Sequence, residues 1–471
     1  MSTCGTTGGY DLAVVGAGSA GFSAAITAAE QGARVALIGH GTIGGTCVNV
    51  GCVPSKTLIR AAESLHNARV AARFAGVRGE ARLDDWQALI SQKDELVANL
   101  RRAKYVELLP EYNRIAYNEG WARLSPEGIQ LNGQQLRVGK TIVATGASPA
   151  RPSVDGINDV DLLTSTTALE LPALPRSLLV IGGGYIGCEL AQLFARAGVR
   201  VTLVCRSRLL PEGEPEISEA LAGYLGEDGI EVRTGVAYRQ IRRTSRGSTL
   251  DVGLNGAVEA LEAEAVLAAT GRRPNTEDLG LADVDVALTG NGGIWVDEHL
   301  HSTNPQIYAA GDVTGRHQFV YMAAYGAKLA ALNALNGDVH CYDATAMPMV
   351  TFTDPQVASV GRTEAAARAA GYEVKTSVLP LDAVPRALAA RDTRGLIKLV
   401  ADRATDQLLG AHILAPEGCD SIQTAALAIK HGMTTKELGE TIFPYLTTVE
   451  GLKLAAQTFD KDVKKLSCCA G

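Results

Sequence analysis

The sequence predicts an α/β protein with two Rossmann-like dinucleotide-binding domains followed by a C-terminal α+β domain. A GxGxxG motif stands between a short apolar run and a helical stretch at residues 16–21, and the arrangement recurs at residues 182–187. From about residue 345 onward, β-like and amphipathic helical runs follow each other without such a motif. Strands that alternate with helices favour a parallel sheet, whereas the last section favours an α+β domain.

Each motif lies where a strand turns into a helix. In the first unit a strand is predicted at residues 10–15, a helix runs to residue 31, and a second strand follows at 34–38. In the second unit the strands are predicted at 177–181 and 200–204. Glycines let the backbone approach a pyrophosphate, and the helix N-terminus offers free N–H groups. Glycine turns that bind nothing are the alternative, but the repeated context favours two bound dinucleotides.

The residues after each second strand indicate which dinucleotide is bound. An acidic residue that holds the ribose usually follows the first glycine by about 20 residues. The first unit has Gly39 and His40 there, and the second has Arg206 and Arg208. The two arginines favour a 2′-phosphate, and so NADPH over NADH, unless they are only solvated surface charges. If the first unit binds FAD, the sequence leaves open which group replaces the carboxylate at Gly39.

Length and composition limit the remaining possibilities. With roughly 150 residues per domain, the 471 residues are expected to form about three domains. The net charge is −7 and the Lys and Arg are scattered, which argues against nucleic acid as a partner. No apolar run reaches the roughly 20 residues of a membrane span, and the N-terminus lacks the features of a signal peptide. A soluble, cytoplasmic protein is therefore expected. Its nine cysteines are expected to be catalytic, metal-binding or buried, and not to form a disulfide framework.

A pair of cysteines lies just ahead of a predicted helix. Cys47 and Cys52 are separated by four residues, the helix is predicted to begin around Val53 and Pro54, and Lys56 follows. The positive end of the helix dipole and the lysine favour the thiolate form, which is both the nucleophile and the metal ligand. Inert buried thiols are the alternative, but this setting indicates a redox-active pair.

A second pair of cysteines, Cys468 and Cys469, stands near the end of the chain. Adjacent thiols in a terminal segment suit the capture of a soft cation, which thiolates select, and they do not easily form a disulfide with each other. Thiols without a role are the alternative. Ligand type alone does not identify the metal, since thiolates also bind Cu(I), Zn(II), Cd(II) and Au. The isolated cysteines are interpreted as packing or incidental surface thiols: Cys4, Cys188, Cys205, Cys341 and Cys419.

The order of these motifs resembles that of the flavoprotein disulfide reductases. The two GxGxxG units, the CVNVGC pair, the ATG segments ending at Gly146 and Gly271, and the AAGD segment ending at Asp312 follow the family's order over nearly the whole chain. The resemblance implies FAD and NADPH as cofactors and a homodimer. The glycine units and the segments that close them divide the chain into four regions, which the resemblance identifies as an FAD-binding domain at 1–146, an NADPH-binding domain at 147–271, a central segment at 272–345 that completes the FAD domain, and a dimerisation domain at 346–471.

The resemblance also gives roles to individual residues. It implies that Cys52 lies against the flavin with Cys47 as the outer, exchanging thiol. It further implies that Lys56 pairs with Glu189 and that Tyr185 covers the nicotinamide pocket. The residues expected to bind FAD are Gly16, Gly18, Ala20, Gly21, Thr46, Gly146 and Asp312, the last through the ribityl chain. Those expected to bind NADPH are Gly182, Gly184, Gly187, Arg206, Arg208 and Gly271.

The C-terminal region departs from the pattern of the thiol-reducing members. In glutathione reductase and dihydrolipoamide dehydrogenase, a His with a Glu five residues later supplies the acid and base, and here Tyr445 stands five residues before Glu450. A tyrosine titrates at about 10, so it is a poor base for a thiol near neutral pH.

Tyr445 and the terminal cysteines resemble the members of the family that reduce Hg(II) delivered as thiol complexes. This likeness implies that Cys47, Cys52, Cys468 and Cys469 ligate the metal, with Tyr445 and the tail serving the partner subunit's active site. A reductase of glutathione or lipoamide, and a metal-buffering protein without catalysis, are the alternatives.

Overall fold

A computed structural model describes residues 9–254 and 256–462 of the chain. These residues divide into two compact units. The first unit comprises residues 9–55, 88–150 and 271–343, and the second comprises residues 56–87, 151–270 and 344–462. The domain boundaries at residues 146, 271 and 345 stay a prediction.

The first unit is built on a five-stranded parallel sheet, called here the first sheet. Its strands, in spatial order, are Ile307–Ala309, Val138–Val143, Tyr10–Val15, Val35–Gly39 and Ile115–Glu119. The side chains of Leu12, Ala13 and Val14 in its central strand are fully buried, as expected for a parallel strand that is covered on both faces. A three-stranded meander and a two-stranded ribbon complete the unit: Ala122–Ser125, Gly128–Leu131 and Gln134–Leu136; Ala147–Pro149 and Arg272–Pro274.

The second unit contains a parallel and an antiparallel sheet of five strands each. The parallel sheet, called the second sheet, has the spatial order Glu231–Arg233, Arg200–Val204, Ser177–Ile181, Ala265–Ala268 and Leu162–Leu163. The antiparallel sheet has the order Pro348–Thr351, Gln356–Gly361, Leu408–Ala415, Leu396–Asp402 and Val374–Pro380. The described part of this unit also contains a three-stranded antiparallel meander: Ala237–Thr244, Gly247–Leu254 and Ala257–Ala263.

The helices connect these strands. The α-helices are Ser19–Glu30, Gly45–Val50, Cys52–Arg69, Trp86–Arg101, Tyr185–Arg196, Pro215–Glu227, Val320–Asn336, Glu364–Ala369, Pro385–Ala390, Gly418–Lys430, Thr435–Glu440 and Glu450–Gln457. None of the helices in the described ranges combines the length and the apolar character that a membrane crossing requires.

The predicted fold class is confirmed. Strands Tyr10–Val15, Ser177–Ile181 and Arg200–Val204 have the predicted bounds, and strand Val35–Gly39 is shifted by one residue. Both glycine motifs lie between a central strand of a parallel sheet and the helix that follows it. The alternating pattern was decisive, because a central parallel strand must be apolar throughout and must be followed by a crossover helix.

A buried lysine forms ion pairs with three carboxylates within the second unit. Lys398 Nζ lies 2.9 Å from Glu214, 2.8 Å from Glu216 and 3.0 Å from Glu364, and the Lys398 side chain is 2% exposed. Burial alone lowers the pKa of Lys398, but the hydrogen bonds to the three carboxylates outweigh it and raise the pKa above its usual value. Glu214 is itself 2% exposed. Its second oxygen accepts the backbone N–H of Glu364 at 2.6 Å.

We expect Lys398→Met to destabilise the fold strongly, because it leaves the Glu214 carboxylate buried without its lysine counter-charge. Removing one member of a buried ion pair costs about 3–5 kcal/mol. The thermal melting temperature of the full chain measures the loss. Lys436→Met is the control, since Lys436 pairs with Glu440 only at the exposed surface, where such pairs contribute about 0–1 kcal/mol. Equal melting temperatures for the two variants would contradict a structural role for Lys398.

Candidate active site

The two glycine motifs form turns of the same geometry. Gly16 has a φ of +123° and Gly182 a φ of +118°, a region that favours glycine. A Cβ at Gly16 would collide with the Ala144 carbonyl oxygen, and a Cβ at Gly182 would collide with the Ala269 carbonyl oxygen. The first glycine of each motif therefore lets the turn pass close to the end of a neighbouring strand in the sheet.

The third glycine of each motif brings the helix onto the turn. A Cβ at Gly21 would overlap the Gly16 carbonyl oxygen, and a Cβ at Gly187 would overlap that of Gly182. Ala20 is buried beside this contact. Helix and strand can approach this closely only because neither glycine carries a side chain.

The middle glycines leave room for a ligand. A Cβ at Gly184 would have no atom within 4 Å, and one at Gly18 would have Gly45 Cα at 3.4 Å as its nearest neighbour. Gly18 and Gly184 precede helices Ser19–Glu30 and Tyr185–Arg196, and neither helix start has a capping side chain among the described residues. The N–H groups at both helix starts can therefore serve phosphate oxygens, so both turns fit a dinucleotide pyrophosphate.

The segment with Cys47 is packed directly on the first glycine turn. Gly44 and Gly45 have φ values of +99° and +67°, and a Cβ at Gly45 would lie 2.6 Å from Gly18 Cα. Cys47 is the third residue of the helix Gly45–Val50, which begins at this contact. The backbone contact therefore holds the half-buried Cys47 close to the turn.

The secondary structure around the cysteine pair agrees with the prediction at Cys52 and differs from it at Cys47. The helix expected to begin around Val53 and Pro54 is Cys52–Arg69, which begins one residue earlier, whereas Cys47 lies in a short helix of its own that was not predicted. Pro54 explains the restart. Proline lacks an N–H group and is tolerated only in the first turn of a helix, so the chain breaks at Gly51, and Cys52 becomes the first helical residue.

Asn49 holds the Cys47 helix in place, a role that the sequence analysis missed. Its Nδ2 donates to the carbonyl oxygens of Ile43 at 2.9 Å and Gly45 at 2.8 Å. Its Oδ1 accepts from Arg101 Nη1 at 3.0 Å. An Asn two residues after Cys47 and four after a glycine pair was a local signal, but its partner Arg101 is 52 residues away and could not be read from the sequence.

Lys56 and Glu189 form an ion pair, the contact that the resemblance implied. Lys56 Nζ lies 2.7 Å from Glu189 Oε2, and the Glu189 side chain is only 3% exposed. Glu189 Oε1 accepts the backbone N–H of Phe352 at 2.9 Å. The Lys56 ammonium lies 4.9 Å from the centroid of the Phe352 ring, in cation–π range. Both members of the pair are thus held in place, and Lys56 lies one turn after Cys52 in the helix Cys52–Arg69.

Asp312 is a buried acceptor in the first unit. It lies in the 3-10 helix Gly311–Thr314. Burial raises the pKa of the Asp312 carboxyl above its usual value, and Arg272, whose Nε is 3.7 Å from Oδ2, opposes this only in part. Within the described part of the chain, Arg272 is the cation beside this carboxylate, which fits an acceptor for the hydroxyl groups of a ligand.

The other predicted cofactor residues lie on turns and helix starts. Gly146 and Gly271 have φ values of +75° and +106°, and a Cβ would meet nothing within 4 Å at either one. Thr46 lies beside Cys47 in the helix Gly45–Val50. Tyr185 is the first residue of the helix Tyr185–Arg196 and is half-buried.

The two candidate 2′-phosphate residues have different surroundings. Arg206 and Arg208 are both exposed just after strand Arg200–Val204. Arg208 Nη2 donates to the carbonyl oxygens of Pro211 at 2.7 Å and Gly213 at 2.6 Å. Arg208 thus helps to fold its own loop, which favours Arg206 as the contact to a phosphate.

The region around Tyr445 is held by Glu450. Tyr445 is 52% exposed, whereas Glu450 is 6% exposed at the start of the helix Glu450–Gln457. Glu450 Oε2 accepts the backbone N–H of Leu446 at 3.3 Å. The predicted metal ligands Cys468 and Cys469 lie outside the described residues.

The isolated cysteines of the described chain are in settings that fit their interpretation as packing or surface thiols. Burial raises the pKa of the fully buried Cys188 and of Cys205. Burial also raises the pKa of Cys419 to about 12. These three thiols stay protonated near neutral pH and are poor metal ligands. Cys341 is exposed at the surface.

The fold and both glycine turns are those of a known family. The family model of the pyridine nucleotide-disulphide oxidoreductases matches residues 10–328, and the model of their dimerisation domain matches residues 347–456. The chain therefore belongs to the pyridine nucleotide-disulphide oxidoreductases, which confirms the resemblance found in the sequence.

Individual relatives cover nearly the whole chain. The mercuric reductase of Staphylococcus aureus is 48% identical over 465 residues, which are 98% of this chain and 85% of the relative. The mercuric reductase of Streptomyces lividans is 48% identical over 98% of this chain and 99% of its own length. Among solved structures, the Cu(II) complex of the HOCl-induced flavoprotein disulfide reductase RclA from Escherichia coli matches with a TM-score of 0.83 and 30% identity, covering 96% of this chain and 100% of that one.

The different surroundings of the two arginines give a prediction for NADPH. We expect Arg206→Ala to raise the KM for NADPH by about tenfold, since a hydrogen bond to a charged group contributes about 1.5–3 kcal/mol. The KM for NADH should stay unchanged, because NADH lacks the 2′-phosphate. Steady-state kinetics with both nucleotides measure the difference. An equal rise for both would mean that Arg206 supports the loop and not the phosphate.

Proposed function

We propose that this chain is an FAD-dependent NADPH:mercury(II) oxidoreductase that reduces Hg(II) to Hg(0) and serves mercury detoxification. One observation carries the proposal: mercuric reductases of several bacteria are 48–49% identical to this chain over 98% of its length. Cys47, which is held close to the first glycine turn, and Cys52 at the start of the next helix suit the chemistry, because thiolates prefer soft metal ions.

Cys47 and Cys52 are the proposed reduction site. Their two thiolates hold Hg(II) beside the first glycine turn, where the Gly18 and Gly45 contact fixes Cys47. NADPH supplies the two electrons and FAD, when bound, would transfer them, so that NADPH and Hg²⁺ yield NADP⁺, H⁺ and Hg(0). Neutral mercury has little affinity for thiolates and leaves both sulfur atoms.

The remaining site residues position the cofactors. The buried Glu189 holds Lys56 in one orientation, so that a fixed positive charge stands one turn after Cys52. Tyr185, at the start of the helix that follows the second glycine turn, is proposed to cover the nicotinamide pocket. Asp312 is proposed to accept hydrogen bonds from the ribityl chain of FAD. The cytoplasm, where NADPH is available, is the proposed location of the protein.

Delivery of the metal is assigned to the tail cysteines. Cys468 and Cys469 of one subunit take Hg(II) from its thiol ligands and pass it to Cys47 and Cys52 of the other by stepwise exchange. Because each exchange replaces one thiolate by another, the metal stays ligated throughout. Tyr445 contributes to the same composite site. It stands at the position of the base that a disulfide substrate would need.

A homodimer provides this arrangement, with residues 346–471 as the dimerisation domain. The segment before helix Glu450–Gln457 supports it, since Ile442 is 96% exposed and Leu446 is 43% exposed. Exposed apolar side chains that follow closely in the chain are typical of a protein interface.

The decisive test is NADPH oxidation by the purified yellow protein with Hg(II) in excess thiol, while volatile mercury is trapped. We expect one Hg(0) for each NADPH, and we expect Cys52→Ala to abolish the reaction while FAD stays bound. Cys341→Ala, which removes an exposed thiol elsewhere, is the matched control and should remain active.

Two outcomes would contradict the proposal. Oxidation of NADPH with oxidised glutathione but without release of Hg(0) would make the protein a thiol reductase. Retained Hg(0) production by Cys52→Ala would mean that the metal is reduced without the cysteine pair.

The tail cysteines require a separate test. We expect Cys468→Ala combined with Cys469→Ala to slow turnover of Hg(II) in bulky or strongly chelating thiol complexes, because the acceptor thiols for the first exchange are missing. Turnover of small, weakly held complexes should change less. Rates with a series of mercury–thiol complexes measure the effect, and wild-type rates with every complex would contradict the delivery role.

A further inference from the structure

The strand that usually carries the ribose-binding acid cannot carry it in this chain. Gly39 ends the strand Val35–Gly39 of the first sheet. A Cβ at Gly39 would lie 2.6 Å from the Ala17 Cβ and 2.7 Å from the Tyr117 hydroxyl oxygen. The space that an acidic side chain would need at its base is therefore filled by two neighbouring side chains.

The neighbouring strand ends in an acid at the same level of the sheet. In the parallel pairing of the two strands, Leu37 is opposite Tyr117 and Gly39 is opposite Glu119. Residues that are opposite each other in adjacent strands point to the same face. Glu119 therefore projects from the face to which a side chain at Gly39 would point.

This face also carries the first glycine turn. The Leu37 Cδ1 atom would lie 3.6 Å from a Cβ at Gly21, and Ala17, within the motif, touches the Cβ position of Gly39. Glu119 is the last residue of its strand. Ligands of open α/β sheets bind at the carboxyl ends of the strands, so Glu119 stands at the end where a dinucleotide lies.

The Glu119 carboxylate is available to a ligand. It is exposed, and within residues 9–254 and 256–462 its side chain has no hydrogen-bond or ion-pair partner. Burial raises the pKa of the Tyr117 hydroxyl, and the negative charge of Glu119 raises it further. The acid is thus close enough to act on the hydroxyl that occupies the Gly39 space.

Two aromatic rings stand beside this acid. His40 follows Gly39, Trp121 follows Glu119 by two residues, and their ring centroids are 3.9 Å apart with an interplanar angle of 30°. Trp121 is 70% exposed. The residues just beyond the ends of both strands thus place two aromatic rings in contact at the edge of the same site, which suits the adenosine end of a dinucleotide.

We propose that Glu119 supplies the carboxylate that binds the adenosine ribose hydroxyls of FAD, in place of an acid at residue 39. The His40 and Trp121 rings border the same subsite. The acid has thus moved to the adjacent strand, and Tyr117 fills the space that the usual acid leaves. This assignment depends on FAD as the cofactor of the first glycine turn and is independent of mercury as the substrate.

The test compares two flavins. FAD carries the adenosine ribose, whereas FMN lacks it and shares the isoalloxazine and ribityl groups. Full-length protein stripped of flavin is titrated with each, and the dissociation constant is measured from flavin fluorescence. We expect Glu119→Gln to weaken FAD binding by about tenfold or more, as for the loss of hydrogen bonds to a charged group, and to leave FMN binding unchanged.

Glu111→Gln is the matched control, because Glu111 is an exposed acid just before the same strand, at its opposite end. It should leave both dissociation constants at the wild-type values. Unchanged FAD binding by Glu119→Gln, or equal weakening of FAD and FMN, would overturn the assignment. Since no mercury enters the measurement, its failure is distinct from a failure of the proposed reaction.

Discussion

The contact between the backbones of Gly18 and Gly45 is the constraint on which the active site depends. Any side chain at Gly45 would place its Cβ 2.6 Å from Gly18 Cα, and the φ of +67° at Gly45 disfavours other residues as well. The contact joins the dinucleotide turn to the start of the Cys47 helix. The contact thereby fixes Cys47 relative to the first glycine turn and not to a flexible loop, as the precise positioning of a reactive group requires.

The two glycine turns have nearly the same geometry, so their selectivity must come from elsewhere. Gly16 and Gly182 differ by only 5° in φ, +123° against +118°, and each approaches a carbonyl oxygen just beyond the end of a neighbouring strand of its sheet. The difference lies at the end of the second strand of each unit. There the first sheet has Gly39 under the Tyr117 hydroxyl, and the second sheet has the exposed Arg206. A glycine turn of this kind contacts the pyrophosphate that both dinucleotides share, whereas the residues at the strand end contact the ribose, where the dinucleotides differ.

The sequence predicted what depends on local pattern and missed what depends on register. Strand Tyr10–Val15 and its glycine turn could be predicted because an apolar run, three glycines and a helix must follow each other in a fixed order. The helix Gly45–Val50 was missed because six residues between glycines show no helical period. Glu119 could not be singled out, because its position beside Gly39 follows only from the pairing of two strands that are 80 residues apart in the chain. For the same reason, the partners of Lys398 could not be predicted.

The residue pair Tyr445 and Glu450 connects the local structure with the kind of substrate. In a thiol reductase, the acid five residues after the His orients an imidazole that must gain and lose a proton. Here the buried Glu450 accepts the N–H of Leu446, whose φ of +62° costs roughly 1–2 kcal/mol in a residue other than glycine. The acid therefore stabilises the turn, and the turn presents the half-exposed Tyr445. Exchange of a metal ion between thiolates needs ligands and needs no titrating base near neutral pH, so the loop can keep its shape while the imidazole is replaced.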